Sequence, residues 1–252
     1  MLVPWFFRDY VELETGQRQQ LERSVDLLLT WHRESQVARY AAFFRELERE
    51  AAAPLGLARI DAARRALDDF WDDIVGQVTP EAAAILATFD DAQVEDMFRR
   101  IAEKDAEVAA EARQRSPAER LERREKLLRR QAERWVGRLT EAQRRLVADC
   151  AAGLAGDVEG WLESRRSWQL AFREAMRLRD DPSRLEPLLE RLFADAESFW
   201  QPDYRRRFVA DRERILRMMA DLDASLDDRQ RSRLRDRLGR WAHDFEAIAG
   251  GA

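Results

Sequence analysis

The sequence predicts an all-α protein, an elongated multi-helix bundle of about ten helices in helical hairpins, within a single domain covering residues 1–252. Three observations predict it. Charged residues make up 37% of the chain, with only 10 Gly and 7 Pro. An average globular domain carries roughly 25% charge, and the excess suits long amphipathic helices with solvated outer faces. Eight Trp and twelve Phe need burial, which argues against disorder. No alternating pattern of the kind a strand requires is present, and no linker is long enough to demand a second domain.

Pro and Gly punctuate the helices in order. After a short N-terminal segment ending near Glu12, a long helix is expected from Thr15 to Ala52, stopped by Pro54 and Gly56. A second runs to about Val78, and Thr79-Pro80 opens a short one to Phe89. Further helices are expected over Asp91–Arg115, Ser116–Arg138, Thr140–Gly153 and Asp157–Arg179. The last three cover Ser183–Phe193, Pro202–Ser225 and Asp227–Ala249. In Ser116-Pro117 and Thr79-Pro80 the hydroxyl residue is placed to cap and Pro to take the first helical position, whose N–H lacks a partner anyway.

One signal occurs four times. Leu13-Glu-Thr-Gly-Gln17, Phe89-Asp-Asp-Ala-Gln93, Leu139-Thr-Glu-Ala-Gln143 and Leu226-Asp-Asp-Arg-Gln230 share an apolar residue, a cap position and a Gln. Four residues after each Gln stands Leu21, Met97, Val147 or Leu234. This is a capping box: the cap side chain accepts the N3 backbone N–H, the Gln reaches back to the cap's N–H, and the apolar residues staple the entry. In the first copy Glu14 holds the cap place, so Thr15 is expected to take that role one residue later. Four independently capped helices account for the pattern, as does a helical-hairpin unit repeated along the chain. The Leu-Thr-x-x-Gln form is similar to boxes in small periplasmic helical chaperones related to Spy.

The net charge is −5. The densest basic run, Arg120 to Arg134, is interrupted by Glu122, Glu125 and Glu133, which predicts an ion-paired, solvated face and no nucleic-acid partner. Cys150, the single cysteine, lies on an apolar face between Val147 and Leu154 and reads as a buried small side chain. His32 and His243 lie in distant helices, so no metal-ligand spacing exists; no cofactor and no catalytic residue is expected. No apolar run reaches the ~18 residues of a membrane span.

Polar side chains interrupt three apolar stripes. Leu21, Val25, Leu28, Tyr40, Phe43 and Leu47 recur at helical spacing, with His32 and Gln36 between them. Arg165 stands between Trp161 and Trp168, and Glu125 among Leu121, Leu128, Ala132 and Trp135. A buried guanidinium needs a carboxylate, for which Glu125 is the candidate, and the two indoles could flank it. The six residues His32, Gln36, Arg165, Trp161, Trp168 and Glu125 therefore form a candidate polar pocket, against the alternative of stripe edges open to water.

Several segments in order resemble a family of uncharacterised lipoproteins of Gram-negative bacteria, a domain of unknown function. They are Pro4-Trp5 with Asp9-Tyr10-Val11, Leu29-Thr30-Trp31-His32-Arg33 with Arg39-Tyr40, and Arg134-Trp135. Arg165-Arg166-Ser167-Trp168-Gln169, Asp180-Asp181-Pro182, and Trp200 with Pro202 and Tyr204 complete the set. The resemblance implies an all-helical periplasmic protein, lipid-anchored through a Cys upstream of the Pro-Trp segment and absent from this chain, with a protein partner in the envelope. The expected function is a non-catalytic binding or chaperone-like module. The rivals are a small-molecule or lipid carrier, or an enzyme, using the pocket around His32 and Arg165, and a cytoplasmic helical adaptor.

Overall fold

The computed structural model describes residues 10–156 and 158–251, and among them the chain is mostly helical, with no strand. The α-helices are α1 (Thr15–Trp31), α2 (Val37–Glu50), α3 (Leu57–Leu86), α4 (Asp91–Gln114), α5 (Pro117–Val136), α6 (Glu141–Gly153), α7 (Val158–Met176), α8 (Pro182–Ala194), α9 (Pro202–Ala224) and α10 (Asp228–Ala249). A π-turn, His32–Gln36, joins α1 to α2, and a 3₁₀ turn, Ala196–Phe199, precedes α9.

The chain divides into two compact units, each assembled from three separate stretches. The first comprises residues 1–30, 69–114 and 157–205; the second comprises 31–68, 115–156 and 206–252. No linker marks them in the sequence because neither is continuous along it.

The first unit is centred on Leu21, Ile85, Leu86, Phe89, Met97, Met176, Leu185, Leu189 and Leu192. In the second, Val136, Leu139, Val147 and Leu222 form one cluster, and Leu47, Ala51 and Leu238 another. Trp135 and Leu234 pack against both clusters of the second unit, which joins them into one apolar interior.

The four boxes meet as two pairs, one in each unit. In the first, Gln17 Nε2 donates to Gln93 Oε1 (2.9 Å) and Gln93 Nε2 to Gln17 Oε1 (2.8 Å). Each amide also donates to the carbonyl five residues before its partner, Gln17 to Thr88 O and Gln93 to Glu12 O, both at 2.9 Å. In the second unit Gln143 and Gln230 repeat the pattern, donating to Ser225 O (3.1 Å) and Arg138 O (2.9 Å). The stapling residues divide in the same way: Leu13, Leu21, Phe89 and Met97 belong to the first core, and Leu139, Val147, Leu226 and Leu234 to the second. The boxes are thus not four independent caps. Each Gln caps its own helix and clasps another.

Three expectations are corrected. Glu14, not Thr15, occupies the first cap: its N–H donates to Gln17 Oε1 (2.9 Å), and its carbonyl accepts Arg18 N–H (2.9 Å). Thr79-Pro80 does not start a helix but lies inside α3. Thr79 is buried, and its hydroxyl donates back to Val75 O (2.8 Å) rather than capping the next turn. The long first helix is interrupted by the π-turn, where Val37 N–H reaches back to His32 O. A π-turn adds a residue to the helical repeat, so the stripe before it does not continue in register beyond it. Leu21 serves the first core, and Leu47 and Ala51 the second.

Candidate functional site

The predicted polar residues fall in both units: Trp161, Arg165 and Trp168 in the first, His32, Gln36 and Glu125 in the second. In the first unit α4 and α7 are joined by a ladder of ion pairs. Glu95 meets Arg173, Asp105 meets Arg165 and Arg113 meets Glu159, and just past the end of α7 Arg179 meets Asp91. The residues advance along α4 as their partners retreat along α7, as antiparallel neighbours must. The carboxylate on Arg165 is therefore Asp105 and not Glu125, which lies on α5. Asp105 also accepts from Gln169 Nε2, so this carboxylate is shared between two side chains of α7. The Trp161 ring is 5.5 Å from the Arg165 guanidinium. Trp168 does not flank it: its indole N–H donates to Leu192 O (2.8 Å), and its ring packs on Phe172. Arg165 is a rung of a helix seam.

In the second unit, the π-turn presents His32 to Tyr40, with Nε2 3.2 Å from the phenolic oxygen. Gln36, buried at the end of the turn, accepts Arg39 Nη1 on its Oε1 (2.9 Å). From Tyr40 the rings continue to Phe245 at 5.5 Å. Phe44, Trp241 and Phe245 then lie 5.7–5.9 Å apart in each pairing, with planes inclined by 21–31°. Phe43 meets Phe44 edge-on. Offset and edge contacts of this kind are the arrangements favoured by aromatic quadrupoles. The patch is not closed over: Trp241 is 41% exposed.

Beside the rings, Arg45 forks from α2 to α10, giving Nε and Nη2 to the two oxygens of Glu246 (3.1 and 2.7 Å) and Nη1 to Glu48 (2.6 Å). The hydrogen bond from Arg45 holds the Glu246 carboxyl below its ordinary value, and those from Glu246 and Glu48 raise Arg45. Gly239 brings α10 close to α2, since a Cβ there would stand 2.7 Å from a Glu48 oxygen. The result is an ordered aromatic surface with a charged edge. It suits holding an apolar group against flat rings.

The sequence pointed to His32 and Gln36 but not to Phe44, Trp241 or Phe245. The available signal was the Trp241-x-x-x-Phe245 spacing, which places two rings on one face of an otherwise highly charged helix. Among the described residues, no cluster of three His, Cys, Asp or Glu side chains could hold a metal, and no helix is long and apolar enough to cross a membrane.

The chain belongs to a family of unknown function, DUF6279, whose family model matches residues 9–205. None of the curated proteins and none of the solved structures matches it. The aromatic surface draws on residues beyond that match, since Trp241 and Phe245 come after residue 205.

Proposed function

We propose that this member of the family is a non-catalytic binding module of the Gram-negative envelope, holding an apolar segment of a client protein on the aromatic surface of α2 and α10. The observation that carries the reading is the exposed Trp241, stacked on Phe44 and in tilted contact with Phe245. Aromatic side chains offer large contact area at low entropic cost and are enriched where proteins meet. The charged edge of Arg45, Glu48 and Glu246 gives such a patch a polar rim. What supports the compartment is resemblance: that of the capping boxes to those of periplasmic helical chaperones, and that of the ordered segments to lipoproteins of Gram-negative bacteria.

The direct test is suppression of aggregation of a chemically unfolded outer-membrane protein by the full chain, compared with Trp241→Ala/Phe245→Ala. The reading expects protection by the parent and its loss in the variant at unchanged helical content. Equal behaviour of the two proteins refutes it. The compartment is tested separately by fractionating source cells and determining the mass of the N-terminal peptide. A lipid-modified Cys in the membrane fraction supports envelope anchoring, and an unmodified cytosolic start removes it.

A further inference from the structure

Charge is distributed unevenly between the two units. The first holds 15 Arg and Lys against 28 Asp and Glu, a net −13; the second holds 29 against 21, a net +8. The modest total of −5 conceals this because the stretches of the two units interleave in the sequence.

Within the second unit four of the cations form a row on the outer face of α5. Its inner face carries Leu128, Ala132, Trp135 and Val136 to the core. Opposite them, at steps of three and four, stand Arg123, Lys126, Leu127, Arg130 and Arg134. Leu127 is 58% exposed in the middle of this stripe. Lys126, Arg130 and Arg134 are exposed and make no side-chain ion pair among the described residues. Glu122 and Glu133 border this row but make no side-chain ion pair with it among the described residues. Glu125 is half-buried on the inner side, and Glu119 is committed to the helix start, accepting the Ser116 N–H at 2.7 Å. Lys126, Arg130 and Arg134 therefore stand without the side-chain ion pairs expected from the sequence.

We propose that this face of α5 docks on an anionic lipid surface. The matching chemistry is a row of long cationic side chains that reach headgroup phosphates, with a bare leucine between them to enter the acyl boundary. An acidic protein or a nucleic acid would satisfy the cations but would leave Leu127 in water. The face is separate from the aromatic surface of α2 and α10, so each can be removed without the other.

The experiment is co-sedimentation of the full chain with phosphatidylcholine vesicles, with and without phosphatidylglycerol, at about 0.05 M and about 0.5 M salt. Binding is expected only with phosphatidylglycerol and is expected to fade at the higher salt. Near an anionic surface each cation contributes about fivefold in partitioning, so Lys126→Gln/Arg130→Gln/Arg134→Gln should weaken it about 100-fold. Leu127→Ala should weaken it severalfold while leaving its salt dependence unchanged. Circular dichroism of each variant checks that the helices persist, and Arg130→Gln alone, with a loss of about fivefold, serves if the triple variant unfolds. Equal binding to neutral vesicles, parental binding by the variants, or binding to duplex DNA without binding to vesicles each overturns the proposal.

Discussion

Gln143 and Gln230 are buried against each other and exchange two side-chain hydrogen bonds, at 2.8 and 2.9 Å. Each oxygen also accepts the N–H of its own cap, Thr140 at 2.9 Å and Asp227 at 3.3 Å. Each nitrogen donates as well to the carbonyl ahead of the partner helix. Both amides are therefore fully used, and no apolar residue of similar volume can replace either. Truncating Gln143 to Ala removes a cap and leaves Gln230 and Ser225 O short of partners. The expected loss is about 3 kcal/mol of unfolding free energy, measured by urea denaturation. Gln17→Ala in the first unit should cost a similar amount. The two losses should add, whereas Gln143→Ala and Gln230→Ala should be strongly non-additive.

Asp223 supplies a contrast between buried and exposed ion pairs. It accepts Arg231 Nη1 and the Leu55 N–H, both at 2.5 Å, and its side chain and that of Arg231 are 9% and 13% exposed. Asp223→Ala leaves the half-buried Arg231 guanidinium with only the backbone carbonyls of Asp223 and Ala53 and frees the loop before α3, and should cost roughly 3 kcal/mol. Glu159→Ala breaks the exposed pair with Arg113 and should leave the stability close to that of the parent. Thermal melts of the two variants distinguish these outcomes.

Gly156 has φ +57°, and a Cβ there would collide with an Arg124 nitrogen. Gly156→Ala should destabilise the protein by about 1–2 kcal/mol through backbone strain and displacement of the guanidinium. Arg124→Ala in the same chain removes the collision but not the strain, and should recover only part of the loss. Full recovery would show that the backbone conformation carries no cost.

Burial raises the Cys150 thiol above its ordinary value, outweighing the opposite pull of Arg214. In the folded protein it should react with a disulfide reagent at about pH 8 far more slowly than a free thiol, and unfolding should release it to the normal rate. Because the folded value is the raised one, its stabilising contribution is present below the ordinary thiol range and lost as pH climbs through the raised value.

The carboxylates behave in the opposite sense. Hydrogen bonds from Arg64 to Asp61, from Arg99 to Asp96 and from Arg45 to Glu246, and from the Ser116 backbone N–H to Glu119, hold these groups below their ordinary values. Their contribution is complete above the normal carboxylate range, about pH 4, and disappears as pH falls through their lowered values. The melting temperature should therefore fall as pH drops below about 4, less steeply in Glu246→Gln than in the parent.

The helix ends were the most legible feature, because a cap is a local event. Ser116, Thr140 and Asp227 accept the N–H three residues on and are answered by Glu119, Gln143 and Gln230, as the residue types require. The interior of α3 was less legible. Thr79-Pro80 carries the same local signal as a helix start, and only the buried placement of Thr79 next to Val75 shows that the helix runs through it. The candidate pocket was read from stripes assumed continuous. The π-turn at His32 broke one of them, and the α4–α7 ladder gave Arg165 a partner, Asp105, that no spacing along α7 could reveal.

By itself, then, the sequence determined the helical class, the caps and the number of Gln boxes, because periodicity and capping act within a few residues of chain. Tertiary structure alone decided which boxes clasp each other, which carboxylate meets Arg165, and which charges share a unit. The clasped glutamines Gln17 and Gln93 lie 76 positions apart, and Arg165 lies 60 from Asp105. Contacts at such separation arise from how amphipathic faces find complementary faces, and no local pattern encodes that choice.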